Sequence, residues 1–124
     1  MIHIHKLLRD RLIARAGLSD VPRVSAKDRF AELQKSEWSP EFEQLMRNRL
    51  IMGGIRYGFL GTKGKPQYDR IASIKKRLNQ YRETGNLELL VDAANLCVCE
   101  FVEGDHPNRH FHAHDDGEHT KVRT

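Results

Sequence analysis

The chain has 124 residues, 39% of them apolar and 31% charged, with a formal net charge of +4. That length gives one domain with a small core, and no stretch approaches the roughly 18 apolar residues of a membrane span. The two cysteines, Cys97 and Cys99, are i and i+2 on a predicted helix and point to nearly opposite sides, so they cannot pair; they read as small buried hydrophobes of a reducing, intracellular compartment.

The opening "MIHIHKLLRDRLIARAG" scatters charge through its apolar residues and is not a secretory signal. It reads as a helix over about Ile4–Ala16, ended by Gly17. Leu18–Val24, "LSDVPRV", is a linker carrying Pro22. Ser25 then caps a second helix, Ala26–Ser36. Ser39-Pro40 is a start signal, a capping hydroxyl followed by proline in the first turn, for a third helix to about Tyr57. "GFLGTKGKPQ" (Gly58–Gln67) is a loop. The fourth helix spans about Tyr68–Glu83, and Thr84-Gly85-Asn86 turns the chain into a fifth, Leu87–Glu103, ended by Gly104. The remainder, "DHPNRHFHAHDDGEHTKVRT", is polar and His-rich without helical period. No strand and no internal repeat stands out. The expected class is all-α: a small bundle of four to five helices with an irregular His-rich tail. It divides as residues 1–24 (helix and linker), 25–104 (core) and 105–124 (tail).

Charge is unevenly spread. Residues 1–82 hold 18 Lys/Arg against 8 Asp/Glu, and residues 83–124 hold 3 against 9. Such a split marks a nucleic-acid face on one half, or two halves that attract each other within one chain or across a dimer. The second reading is preferred, because the acidic half contains its own apolar helix.

Wound at about 100° per residue, the fifth helix gathers Glu88, Asp92, Asn95, Cys99 and Glu103 into an arc of roughly 80°. Leucines, valines, alanines, Cys97 and Phe101 fill the rest. A polar stripe on a helix made for a core must meet water, a metal or basic partners. The third helix offers such partners. Arg49 and Arg56 project into its apolar arc of Phe42, Leu45, Met46, Leu50 and Gly53, with Glu88 and Asp92 as the expected acceptors. Two readings stand: a buried ion-pair network joining two helices, or arginines that hold a phosphate. The fourth helix shows Lys75, Lys76 and Arg82 outward, a solvated basic face more than a nucleic-acid face, because few aromatics interleave. Lys63 and Lys65 in "GTKGKP" are within reach of a phosphate, without Walker spacing. In the tail, His110, His112 and His114 are a second, adventitious candidate metal site, and Pro107 and Phe111 are expected to pin "DHPNRHF" to the body.

An all-α chain of this size with "ELLVDAAN" on a helix resembles the MazG-like nucleoside-triphosphate pyrophosphohydrolases, most closely short phage-borne members. "RNRLIMGGIRYG", "KPQYDRIASIKKRLNQYRETGN" and "LVDAANLCVCEF" carry the likeness, over about Ser39–His119. The resemblance implies cleavage of an NTP or dNTP between the α- and β-phosphates, with Mg²⁺ (or Mn²⁺) held by carboxylates on facing helices so that it neutralises phosphate charge and activates water. Carried over, Asp92 matches the acid of the later helix and Glu88, four residues before it, stands as a second catalytic and metal-holding carboxylate. Asn95, Arg49, Arg56, Lys63 and Lys65 are expected to contact the nucleotide. The family's first carboxylate motif is missing, and Arg49 and Arg56 stand in that helix instead. A non-catalytic protein that binds an anionic ligand or a protein partner, and a nucleic-acid binder using Tyr68–Glu83, are the competing readings. A homo-oligomer is expected, since short helices with a broad apolar surface complete their core by pairing, and the resemblance implies the same. The expected location is the cytoplasm, that of the host cell for a phage-borne chain, with no membrane association.

Overall fold

The computed structural model describes residues 26–113 and 122–123. The expected first helix, its linker, the Ser25 cap and His114 lie outside them. The described residues are all-α, with four helices and no strand among them: α1 (Ala26–Ser36), α2 (Pro40–Tyr57), α3 (Arg70–Thr84) and α4 (Glu88–Glu103). None is long and apolar enough to cross a membrane. They fall into two compact units. Ser39–Arg109 holds α2, α3 and α4, and α1 belongs to the other. Taken by itself, α1 has Asp28 in its first turn and Lys35 in its last, the charge order that suits the helix dipole.

Each helix of the larger unit starts and stops for a readable reason. The Ser39 hydroxyl accepts from the Phe42 N–H, and Pro40 follows where a missing N–H costs nothing. The Asp69 carboxylate accepts from the Ala72 N–H, so α3 begins two residues later than the expected Tyr68. Gly85 ends α3 at φ 72°, left-handed backbone that a side chain disfavours, and its N–H returns to the Tyr81 carbonyl. No side chain caps α4; the Asn86 side-chain oxygen accepts from the Glu88 N–H just before it.

α4 is the central element. It packs on both α2 and α3, while α2 and α3 do not pack on each other. Both neighbours engage the polar stripe of α4 and its flanks. As a result the buried apolar residues among those described are only Val91 and Ala93, joined by Arg70 and Asn95. Several expected core positions are instead open. Cys97 is exposed rather than buried, as is Phe101 at 61%. Both lie on the side of α4 opposite the stripe, which neither neighbour covers. Leu45 on α2 is likewise exposed, and α2 has no buried residue along its 18 positions. At the far end, Arg109 ties down the segment after α4. Its guanidinium donates to the Phe101 and Gly104 carbonyls, which the end of a helix leaves without partners.

A cationic cavity between three helices

The gap that α4 leaves between α2 and α3 is a cavity of about 420 Å³, within the size range of small-molecule sites. Arg49 and Arg56 enter it from α2, Arg70 and Arg77 from α3, and Lys65 from the connecting loop. Asp92, Asn95, Cys99 and Glu103 supply its wall from α4. Five cations therefore meet two carboxylates in one concave space.

Its two ends differ. At one, Arg49 Nε lies 3.5 Å from Glu88 and 3.6 Å from Asp92, and Arg77 Nε lies 3.9 Å from the other Asp92 oxygen. These are looser than direct charge-assisted hydrogen bonds. Beside them Asn95 donates from Nδ2 to the Met46 carbonyl at 3.0 Å, joining α4 to α2. Its Oδ1 is buried and accepts no hydrogen bond, an arrangement that costs free energy.

The other end is tighter. Glu103 accepts from Arg70 at 2.7 Å, from Lys65 at 3.2 Å and from the Gly61 N–H at 3.0 Å. Arg70 also reaches Glu100 at 3.3 Å and lies 5.8 Å from the Tyr68 ring centroid, a cation–π contact. Lys65 donates onward to the Gly58 carbonyl, and Gly58, at φ 93°, turns the chain there; a Cβ on it would come 3.3 Å from the Lys65 side chain. Burial by itself raises the Glu103 carboxyl. The Gly61 and Lys65 hydrogen bonds and the charges of Lys65 and Arg70 outweigh it and hold the group below the ordinary carboxylate range. Burial and the Glu103 charge push the Cys99 thiol up, against the opposing pull of Arg70 and Lys65.

The rim is aromatic and apolar. Tyr57 and Tyr68 meet edge to face at 6.3 Å, and Leu60 and Met52 stand beside them. Along the α2 wall, Gly53 and Gly54 leave the surface without side chains; a Cβ on Gly53 would meet nothing within 4 Å.

Of the residues singled out in the sequence, Arg49, Arg56, Lys65, Asp92 and Asn95 line this cavity. Glu88 stands one turn from Asp92 without lining it, and Lys63 is exposed on the loop away from it. Glu88 and Asp92 both face Arg49, as expected, but Arg56 makes no ion pair among the described residues. Arg70, Arg77, Glu103 and the two tyrosines were not singled out as site residues. The Glu103 position on the polar stripe was the available signal for them, since a carboxylate there demands a donor. Among the described residues no group of three or more His, Cys, Asp or Glu comes together. Mg²⁺ commonly takes one or two carboxylates with water and phosphate oxygens. Here Asp92 and Glu88 are turned to guanidinium groups, so as arranged the pair does not fit a resident cation. His110 and His112 are exposed.

No family model, no curated protein and no solved structure matches the chain.

Proposed function

We propose that the protein binds a small phosphate-bearing molecule, a nucleotide foremost, in the cavity between α2, α3 and α4. One observation carries the reading: Arg49, Arg56, Lys65, Arg70 and Arg77 converge on a single concave space, and the carboxylates of Glu88, Asp92, Glu100 and Glu103 paired with four of them leave Arg56 without a counter-charge among the described residues. The excess of positive charge suits phosphate, and guanidinium forks match its oxygens. Tyr57 and Tyr68 at the rim offer flat surfaces to a base or another ring. The likeness of "ELLVDAAN" and its neighbours to MazG-like phage proteins points to the same ligand class.

Asp92 acts here as a stand-in anion. It holds Arg49 and Arg77 in place, and an incoming phosphate takes over these donors. Glu103 and its three donors keep the loop fixed to α4 while this happens. The arrangement is non-catalytic binding.

Metal-dependent hydrolysis to monophosphate and pyrophosphate is the second reading. It is favoured by Asp92 at the cavity wall with Glu88 one turn away. It requires Mg²⁺ or Mn²⁺ to displace Arg49 and Arg77 from the two carboxylates.

Calorimetric titration with a panel of NTPs, dNTPs and inorganic phosphate, with Mg²⁺ and with EDTA, tests both, alongside chromatography of the products. Binding that survives EDTA without turnover is the expected result. Asp92→Asn then tightens binding, because it releases two arginines. Metal-dependent pyrophosphate release that Asp92→Asn abolishes establishes the second reading instead. No binding of any phosphate compound refutes both.

A further inference from the structure

We infer that the cavity takes a single phosphoryl group, seated over Gly53 between Arg49 and Arg56, and so selects nucleoside monophosphates over triphosphates. The inference rests on the phosphate-binding reading above and adds where the phosphate lies and how many phosphoryl groups fit.

The five cations are not equally free. Lys65 and Arg70 are committed to Glu103 at 3.2 and 2.7 Å, and Arg70 to Glu100 as well. Arg77 donates to the Ser73 carbonyl of its own helix at 3.2 Å, with Asp92 3.9 Å away. Arg56 makes no ion pair among the described residues. Arg49 is loosely held. Its Nε is 3.5 Å from Glu88 and 3.6 Å from Asp92, and its Nη1 is turned to the Met52 sulfur at 3.7 Å, a weak acceptor. An incoming anion therefore finds its donors on α2.

The spacing on α2 gives these donors one target. Arg49, Gly53 and Arg56 all line the cavity, and at about 100° per residue they fall within roughly 60° of one another. The two arginines are about 10 Å apart along the axis, a gap that two long side chains close from both ends. Gly53 lies in that gap, and a Cβ on it would meet nothing within 4 Å. The space above it is open, floored by bare backbone and flanked by two guanidinium groups, which suit the oxygens of a phosphate. Tyr57 stands one turn further on, about 5.4 Å along the axis, and meets Tyr68 edge to face. A phosphate over Gly53 and a flat ring against Tyr57 leave room between them for one sugar.

Charge limits the ligand to one such group. The five cations meet four carboxylates, Glu88, Asp92, Glu100 and Glu103, an excess of a single positive charge. A phosphate monoester carries about −1.5 to −2 at neutral pH and nearly balances it. Each further phosphoryl group adds negative charge with no cation left to meet it. A phosphate chain extended from Gly53 runs toward Asp92 at one end of the cavity or Glu103 at the other. A phosphate that draws Arg49 to itself also leaves Asp92 and Glu88 less well countered. Like charge placed against the wrong ligand is a source of specificity.

Calorimetry on the full chain in EDTA, comparing ribonucleoside monophosphates with the corresponding triphosphates, tests the inference. At least one monophosphate is expected to bind about tenfold more tightly than its own triphosphate. Gly53→Leu fills the space between the arginines with a residue that favours a helix. It is expected to lower monophosphate affinity about tenfold or more, with an unchanged circular dichroism spectrum. Arg56→Gln breaks no ion pair and is expected to give a similar loss. Asp92→Asn narrows the gap between monophosphate and triphosphate. A triphosphate that binds as tightly as its monophosphate overturns the inference and leaves phosphate binding standing. So does a folded Gly53→Leu or Arg56→Gln chain that binds the monophosphate as wild type does. Absence of binding by every phosphate compound ends the underlying reading and this inference together.

Discussion

Arg70 donates to Glu103 across 2.7 Å, with the guanidinium 7% and the carboxylate 14% exposed. One side chain thereby closes α3 onto the end of α4 and satisfies an acid that faces a cavity. Arg70→Ala leaves Glu103 and Glu100 short of a donor in a poorly hydrated place. The expected loss is about 3 kcal/mol, the lower end of what breaking a buried pair costs, because Glu103 stays partly wet. A urea titration of the variant reads it as a lower midpoint with an unchanged slope.

The same carboxyl sets a pH dependence. Its folded pKa is depressed below that of the unfolded chain, so the folded state binds its proton less readily. The stability it contributes is fully present above the ordinary glutamate pKa of about 4.3. That stability falls away as the pH drops through the lower folded value. Thermal melts of wild type and Glu103→Gln between neutral and acid pH are expected to converge at the acid end and to differ most near neutrality.

Asn95 tests the wall of the cavity in a different way. Its amide donates to Met46, while its oxygen is buried without a donor. Asn95→Asp replaces the donating group with an acceptor against a carbonyl and is expected to cost about 2 kcal/mol or more. Asn95→Leu removes the bond and the orphaned oxygen together and is expected to cost less than Asn95→Asp. Paired denaturation curves of the two variants settle the order.

Thiol labelling reports on α4. Cys97 is exposed, whereas Cys99 is half-buried at the cavity wall with its pKa raised. Iodoacetamide is expected to modify Cys97 well ahead of Cys99, because only the thiolate attacks and only Cys97 is open to it. Peptide mass spectrometry over a time course gives the two rates.

Local chemistry was legible in the sequence. Ser39-Pro40, Gly85 and Gly104 mark helix ends where the backbone puts them. The stripe on α4 announced that it needed basic partners, water or a metal, and Arg49, Arg70, Arg77 and Lys65 proved to be the partners. The identity of Arg70 as a buried residue was not legible. Periodicity on α3 places it at the border of the apolar face; only the return of the loop to α4 closes the space around it. That return is made by contacts such as Lys65 to Glu103, separated by 38 residues, and helical period says nothing about pairings so distant. Cys97 and Phe101 are exposed for a related reason. An apolar arc indicates that a face wants cover, and the neighbours of α4 are drawn to its polar stripe.

Gly53 and Gly54 sit side by side in an 18-residue helix, where each is about 1 kcal/mol less favourable than alanine. A Cβ at Gly53 has open space before it, so crowding by the protein itself does not explain the residue. The last turn and a half of α2 is therefore the part of that helix least able to hold its own hydrogen bonds. It is expected to open more often than the Ser39-capped beginning, which hydrogen exchange reads as amide protons there exchanging sooner. Anything that settles against the bare backbone of Gly53 suppresses that opening. Occupation of the cavity would then be recorded as slower exchange in a helix already formed.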